Sequence, residues 1–213
     1  APGRWYWYRF LCGNEVSPIG RTRTAEGPGG KIDRLRFAVA SCQHYEQAYF
    51  AAHRHLVAED LDLMFFVGDY IYESNWGDEL VRRHVGPEAD TLERYRVRHA
   101  QYKTDPDLQA SHAAMPWAFT WDDHEVENDY AGEQGENMDP GFLLRRAAAY
   151  QAFFEHMPVP LTMRPKSNEM RIYDTLDYGE FARFYIVDNR QYRDPQACPD
   201  PYKGGGSTDV TGS

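Results

Sequence analysis

The sequence predicts an α/β sandwich, with helices covering a mostly buried sheet, preceded by the last strands of an all-β module. From residue 35 onward, short apolar runs alternate with segments whose apolar residues recur every three or four positions. Before residue 30 the pattern is instead one of strands, and Ala25-Glu26-Gly27-Pro28-Gly29-Gly30 between the two regions reads as a linker. The third observation is that three of the predicted strands end in clusters of polar residues.

Residues 5–12, beginning Trp5-Tyr6-Trp7-Tyr8-Arg9-Phe10, alternate as a strand does, and Arg21-Thr22-Arg23-Thr24 supplies a second short strand. Two strands are a marginal unit alone, so residues 1–30 read as the C-terminal remnant of an all-β domain plus its linker. Leu35 to Ser41 is the next strand. Residues 46–58 carry apolar residues at helical spacing, including Tyr49, Ala52 and Leu56. Leu63-Met64-Phe65-Phe66-Val67 is a continuous apolar run ended by Gly68-Asp69, as expected of a strand buried on both faces.

Residues 92–102 and 106–114 read as helices, the second with Pro106 at a permitted early position. Trp117 to Trp121 is a further strand. A strong helix follows Asp139-Pro140-Gly141, with Phe142, Leu143, Ala147, Tyr150, Phe153 and Phe154 on its spacing and Pro158 as its stop. Residues 170–175 and 181–187 are strands, paired as a hairpin about Asp177-Tyr178-Gly179. The tail from Gly204 to Ser213 has nothing to bury and is expected to be mobile.

The 213 residues suffice for one substantial core with a small additional module, and a hydrophobic content of 42% with 15% aromatic residues indicates a globular chain. No apolar run approaches the roughly 18–20 residues that cross a bilayer. A net charge of −10, from 33 acidic and 23 basic residues, argues against a general nucleic-acid surface. It suits carboxylates that hold hard cations, and equally plain solubility. The three cysteines, Cys12, Cys42 and Cys198, show no zinc-finger or CxxC spacing. The start, which enters an alternating aromatic stretch after four residues, suggests either a removed signal segment or a fragment of a longer protein.

In open α/β sheets ligands bind beyond the carboxyl ends of the strands, so the clusters at Cys42, at Asp69 to Tyr72 and at Asp122 to His124 are expected to converge. An Asp at a strand tip after Gly68 can bridge two cations, and a phenolate such as that of Tyr72 binds a trivalent ion well. An isolated Gly-Asp pair also serves simply to cap a turn. The Asp-His pair can supply one ligand and one group that contacts a phosphoryl oxygen, and it also fits a solvated acidic loop. Asp188-Asn189-Arg190-Gln191-Tyr192-Arg193 follows another strand, where Arg190 could clamp a phosphate or belong to an ordinary surface.

Taken in order, Trp5-Tyr6-Trp7-Tyr8-Arg9-Phe10, Ser17-Pro18-Ile19-Gly20-Arg21-Thr22-Arg23-Thr24, Ala40-Ser41-Cys42-Gln43 and Gly68-Asp69-Tyr70-Ile71-Tyr72-Glu73 resemble the landmarks of PhoD-type alkaline phosphatases. Tyr95 to Tyr102, Thr120 to Asn128 and Asp188 to Arg193 continue the series. The resemblance implies secreted phosphomonoesterases and phosphodiesterases, exported by the twin-arginine route to the periplasm or the exterior, that act on small phosphate esters. It implies an N-terminal β-sandwich (of immunoglobulin or fibronectin type) followed by a metallophosphoesterase-like α/β/β/α sandwich. Residues 31–213 would then be the first part of that catalytic domain.

On the same resemblance, Cys42, Asp69 and Tyr72 match ligands of a ferric ion, with Asp69 also facing calcium. Asp123 is the next ligand in preference to Asp122, His124 contacts the phosphoryl group, and Arg190 clamps the substrate phosphate. The family's further Asp and His ligands fall beyond residue 213, which implies half of a metal site and little or no activity in this chain alone. Two other readings stand beside this one: a related binuclear phosphodiesterase of phospholipase D type, and a non-catalytic calcium-binding extracellular module.

Overall fold

A computed structural model describes residues 1–195. Cys198 and the glycine-rich tail lie outside the described residues. The centre is a three-stranded parallel sheet of β5 (Phe37–Ala40), β6 (Leu63–Val67) and β7 (Trp117–Thr120), with β6 in the middle. Leu63, Met64, Phe65 and Phe66 are all buried, which explains why β6 reads as an unbroken apolar run rather than an alternating one.

Helices cover one face of this sheet. The helix α1 (Ala51–Ala58) packs on α3 (Pro106–Ala114), and α2 (Leu92–Tyr102) packs on α4 (Phe142–His156). Each start has a local cause where a cap exists. Thr91 accepts from the Arg94 amide, and Asp105 accepts from the amides of Asp107 and Leu108 with Pro106 at the first helical position. The core between helices and sheet is aromatic: Trp121 lies flat on Tyr150 with centroids 4.2 Å apart, and Phe66, Tyr70, Phe119, Tyr95, Tyr102 and Phe153 are buried around them.

The opposite face carries a two-stranded antiparallel hairpin, β8 (Asp174–Tyr178) and β9 (Ala182–Ile186). Phe184 of β9 meets Phe65 and Phe37 at 4.6 and 5.4 Å, while Val39 and Val67 on the sheet, Tyr185 on the hairpin and Val187 just after it remain exposed. The architecture is thus the expected α/β one, with a helical layer, a parallel sheet and a second, smaller β layer.

The first strand departs from the reading of one run over 5–12. It splits into β1 (Trp5–Tyr8), paired with β4 (Gly20–Arg23), and β2 (Leu11–Cys12), paired with β3 (Glu15–Val16). The register changes by one residue between the two pairs, where Ser17-Pro18 interrupts the ladder because proline lacks the amide it needs. Arg21 and Arg23 tie this hairpin to the α/β part through Asp60 and Asp62.

Helix α1 begins at Ala51, not near residue 46. The preceding backbone and side chains are taken by tertiary contacts: the Glu46 carboxylate accepts from the His84 amide, and the Phe50 amide donates to Asp105. The strand expected over 170–175 begins only at Asp174, and the hairpin turns at Tyr178 to Phe181 with Gly179 at φ 58°.

Candidate metal centre at the strand tips

The three polar clusters do meet beyond the carboxyl ends of β5, β6 and β7. Two sharp backbone turns bring this about. Cys42 and Asp69, each two residues past its strand, both adopt left-handed conformations at φ 58° and 56°. Non-glycine residues occupy this region at a cost, and such strain concentrates where a side chain has to be aimed. Gly68 lies between β6 and Asp69 at φ 112°, and a Cβ there would sit 2.4 Å from the Asp122 amide nitrogen. Only glycine lets the second strand tip approach the third this closely.

Asp69 is the hub. One carboxylate oxygen, Oδ2, accepts from the Cys42 thiol at 3.3 Å and from the Tyr72 hydroxyl at 3.1 Å. The other, Oδ1, is buried and has no hydrogen-bond partner among the described residues. Ligand atoms of Asp69, Asp123 and His124, all three buried, lie within 4.8 Å of one another. Burial raises the Asp69 carboxyl, and the Asp123 and Asp122 charges raise it further against the pull of His124. Partial burial and the Asp69 charge likewise push the Cys42 thiol up, and burial with Asp69 pushes the Tyr72 phenol up. Three groups that are each reluctant to ionise next to the others, with one carboxylate oxygen unpaired among the described residues, form a donor set suited to a cation.

His124 is held by Glu73, whose Oε2 lies 2.8 Å from Nδ1. That bond leaves Nε2 as the imidazole atom available to other partners. Burial opposes a charge on His124, but Glu73, Asp123 and Asp69 outweigh it and push the imidazole up to about 9. Its ring stacks on Tyr72 at 4.1 Å and lies perpendicular to the Trp76 ring at 5.1 Å.

Arg190 is brought to the same corner by Asp188, which accepts from the Arg190 and Gln191 amides and from the Trp121 indole. The guanidinium is buried among acids. Nε donates to Asp122 at 2.5 Å, one terminal nitrogen lies 3.1 Å from Asp123, and the other lies 3.9 Å from Asp129 and 3.4 Å from the Tyr130 carbonyl. Asp122, also held by Asn189, is therefore engaged with Arg190, whereas Asp123 faces both Arg190 and the Asp69–His124 cluster.

Sequence reasoning missed two carboxylates that organise this site. Glu125 is fully enclosed and accepts from the amides of Asp69, Tyr70 and Asp122, so one side chain ties the second strand tip to the third. Glu73 accepts from the Asn128 amide as well as from His124. Each stands next to a predicted site residue in the sequence, and that adjacency was the signal available.

The fold and this cluster define an α/β protein with a cation-competent site at the tips of parallel strands. The family model for PhoD-like phosphatases matches residues 37–212, and the chain belongs to that family. It is 48% identical over 210 residues to alkaline phosphatase D of Bacillus subtilis (strain 168), an alignment that covers 95% of this chain and 36% of the relative. A solved structure titled "Structure of PhoD" superposes with a TM-score of 0.89 at 48% identity, covering 92% of this chain and 39% of that one. The chain therefore spans well under half the length of the relatives it matches.

Proposed function

We propose that this chain supplies part of the active site of a metal-dependent hydrolase of small phosphate esters. The carrying observation is the convergence of Cys42, Asp69 and Tyr72 on one point, with the buried Oδ1 of Asp69 unpaired among the described residues. In this reading Cys42, Asp69 and Tyr72 hold ferric iron, and Asp123 with Asp69 holds calcium. Thiolate and phenolate favour the trivalent ion, and carboxylates favour the hard divalent one. When bound, the cations supply electrophilic stabilisation of the charge on the phosphoryl group.

The chain's own residues do the rest. Nε2 of His124, oriented by Glu73, is placed to contact a phosphoryl oxygen or the departing oxygen. Glu125 keeps the Asp69 and Asp122 loops at a fixed separation by holding amides of both. Arg190 supplies a positive charge to the Asp122–Asp123–Asp129 side, and it meets a substrate phosphate only by giving up one of these carboxylates. Membership of the family supports the phosphatase reading, and no helix among the described residues is long and apolar enough to cross a membrane. We further propose that the protein is exported to the periplasm or the exterior.

The test is metal content, colour and hydrolysis measured together. The chain loaded with ferric and calcium ions should show a visible charge-transfer band from thiolate and phenolate. Asp69→Ala and Cys42→Ala should each remove it, along with any hydrolysis of p-nitrophenyl phosphate. Calcium uptake with no iron and no colour would instead favour a calcium-binding module.

A further inference from the structure

We propose that Trp76 sets substrate preference at this site, by forming the apolar wall on which a flat carbon face of the ester's organic group rests. The inference rests on the phosphate-ester reading above and extends it to the class of ester accepted.

Tryptophan has the largest apolar surface of any side chain and is highly buried on average. Trp76 is 45% exposed. It is not a stray surface residue, because its inner side is packed on the site itself. The indole lies perpendicular to the His124 ring at 5.1 Å, is steeply inclined to the Tyr72 ring at 6.1 Å, and lies nearly parallel to His44 at 6.4 Å. All three of those partners are buried. Among the described residues, Trp76 is the one exposed ring in contact with His124.

The surroundings of His124 are otherwise ionic, with Glu73, Asp69 and Asp123 as its charged neighbours. An ester held by its phosphoryl group at His124 projects its organic part away from those carboxylates, because they offer it only desolvation cost. The indole face is the apolar surface within reach. Its backbone setting allows adjustment: residues 75–79 are exposed, Gly77 at φ 84° has open space around it, and the next anchored amide is that of Val81 on the Glu46 carbonyl. The ring is thus held by side-chain contacts on one side and free on the other, which is the arrangement of a stacking platform.

Two non-hydrolysable probes separate this role from simple phosphate binding: benzylphosphonate, whose methylene stands for the ester oxygen, and methylphosphonate, which has no ring. Both would be titrated calorimetrically into the chain supplied with ferric and calcium ions. The wild-type chain should bind benzylphosphonate about tenfold more tightly than methylphosphonate, the ratio expected of one aromatic stacking contact. Trp76→Ala should bring the ratio close to one, and Trp76→Phe should keep most of the preference. Retention of an unfolding midpoint in Trp76→Phe guards against a variant that merely misfolds. Equal affinities in the wild type, or a preference that survives Trp76→Ala, would overturn the assignment of Trp76 alone. If neither phosphonate binds, the phosphate-ester reading fails and this inference fails with it.

Discussion

The two sides of the site are built from the same residue type and solve opposite problems. On one side, Asp69 gathers the Cys42 thiol and the Tyr72 hydroxyl, and among the described residues no basic side chain forms an ion pair with it. On the other, Asp122, Asp123 and Asp129 are drawn together around the Arg190 guanidinium. The first side depends on an incoming cation to complete it, while the second carries its own. Burial of like charges is tolerable only with compensation, which Arg190 supplies directly on one side, whereas on the other His124 offsets the Asp69 charge only in part.

The largest effect should come from removing the internal cation. Arg190→Ala leaves Asp122, Asp123 and Asp129 uncompensated, at a cost of about 3 kcal/mol or more, on the order of 10 °C in melting temperature. Calcium should restore part of that loss in the variant, since a divalent ion can take the place of the guanidinium. Thermal unfolding with and without calcium checks both statements. An unaffected midpoint would show that the acidic side is solvated and does not need Arg190.

Next in size is the tie between the two sides. Glu125→Ala strips the acceptor from the amides of Asp69, Tyr70 and Asp122, and an unsatisfied buried amide costs about 1–3 kcal/mol before relaxation. We expect a loss of about 2 kcal/mol, together with weaker metal uptake because the Asp69 loop loses its position. If stability falls but metal uptake is unchanged, Glu125 supports the fold without setting the site.

The sequence made some of this legible for identifiable reasons. The short apolar run at Leu63 to Val67 and the polar residues after it located the central strand and its tip, because a strand buried on both faces has few alternative readings. The helices over 92–102 and 106–114 were readable from Pro106 and the spacing. The convergence of Cys42 with Asp69 was expected from strand-tip placement and from the family resemblance. The left-handed turns that achieve it at two non-glycine residues follow no local pattern. Glu73 and Glu125 went unassigned because acidic residues usually lie at the surface, and only tertiary structure shows which amides they satisfy. The late start of α1 has the same origin, since contacts of Glu46 and Phe50 with distant loops override helical spacing.

A smaller effect is expected at His124. Glu73→Gln keeps an acceptor for the Asn128 amide but removes the negative charge beside Nδ1. Stability should fall by about 1 kcal/mol, the scale of one charge-assisted hydrogen bond replaced by a neutral one. Side-chain nitrogen NMR should show Nδ1 carrying the proton in the neutral ring of the wild type. A mixture of tautomers in Glu73→Gln would confirm that Glu73 fixes Nε2 as the free atom. An identical tautomer in both would assign the orientation to stacking on Tyr72 instead.

The last and smallest change has the opposite sign. The Asp69 carboxyl is raised by burial and by its acidic neighbours, so its charged form destabilises the cation-free fold at neutral pH. That destabilisation is full above the folded value, shrinks as pH falls below it, and is gone only below the ordinary carboxylate value of the unfolded chain. Asp69→Asn removes the charge while keeping an amide oxygen to accept from Cys42 and Tyr72. The variant should therefore melt slightly higher than the wild type in chelator, and the difference should shrink as the pH is lowered. With metal added the order should reverse, because only the wild type gains binding energy. A lower melting temperature for Asp69→Asn in chelator would mean that the Asp69 side is as well compensated within the chain as the Arg190 side, and the contrast between them would be lost.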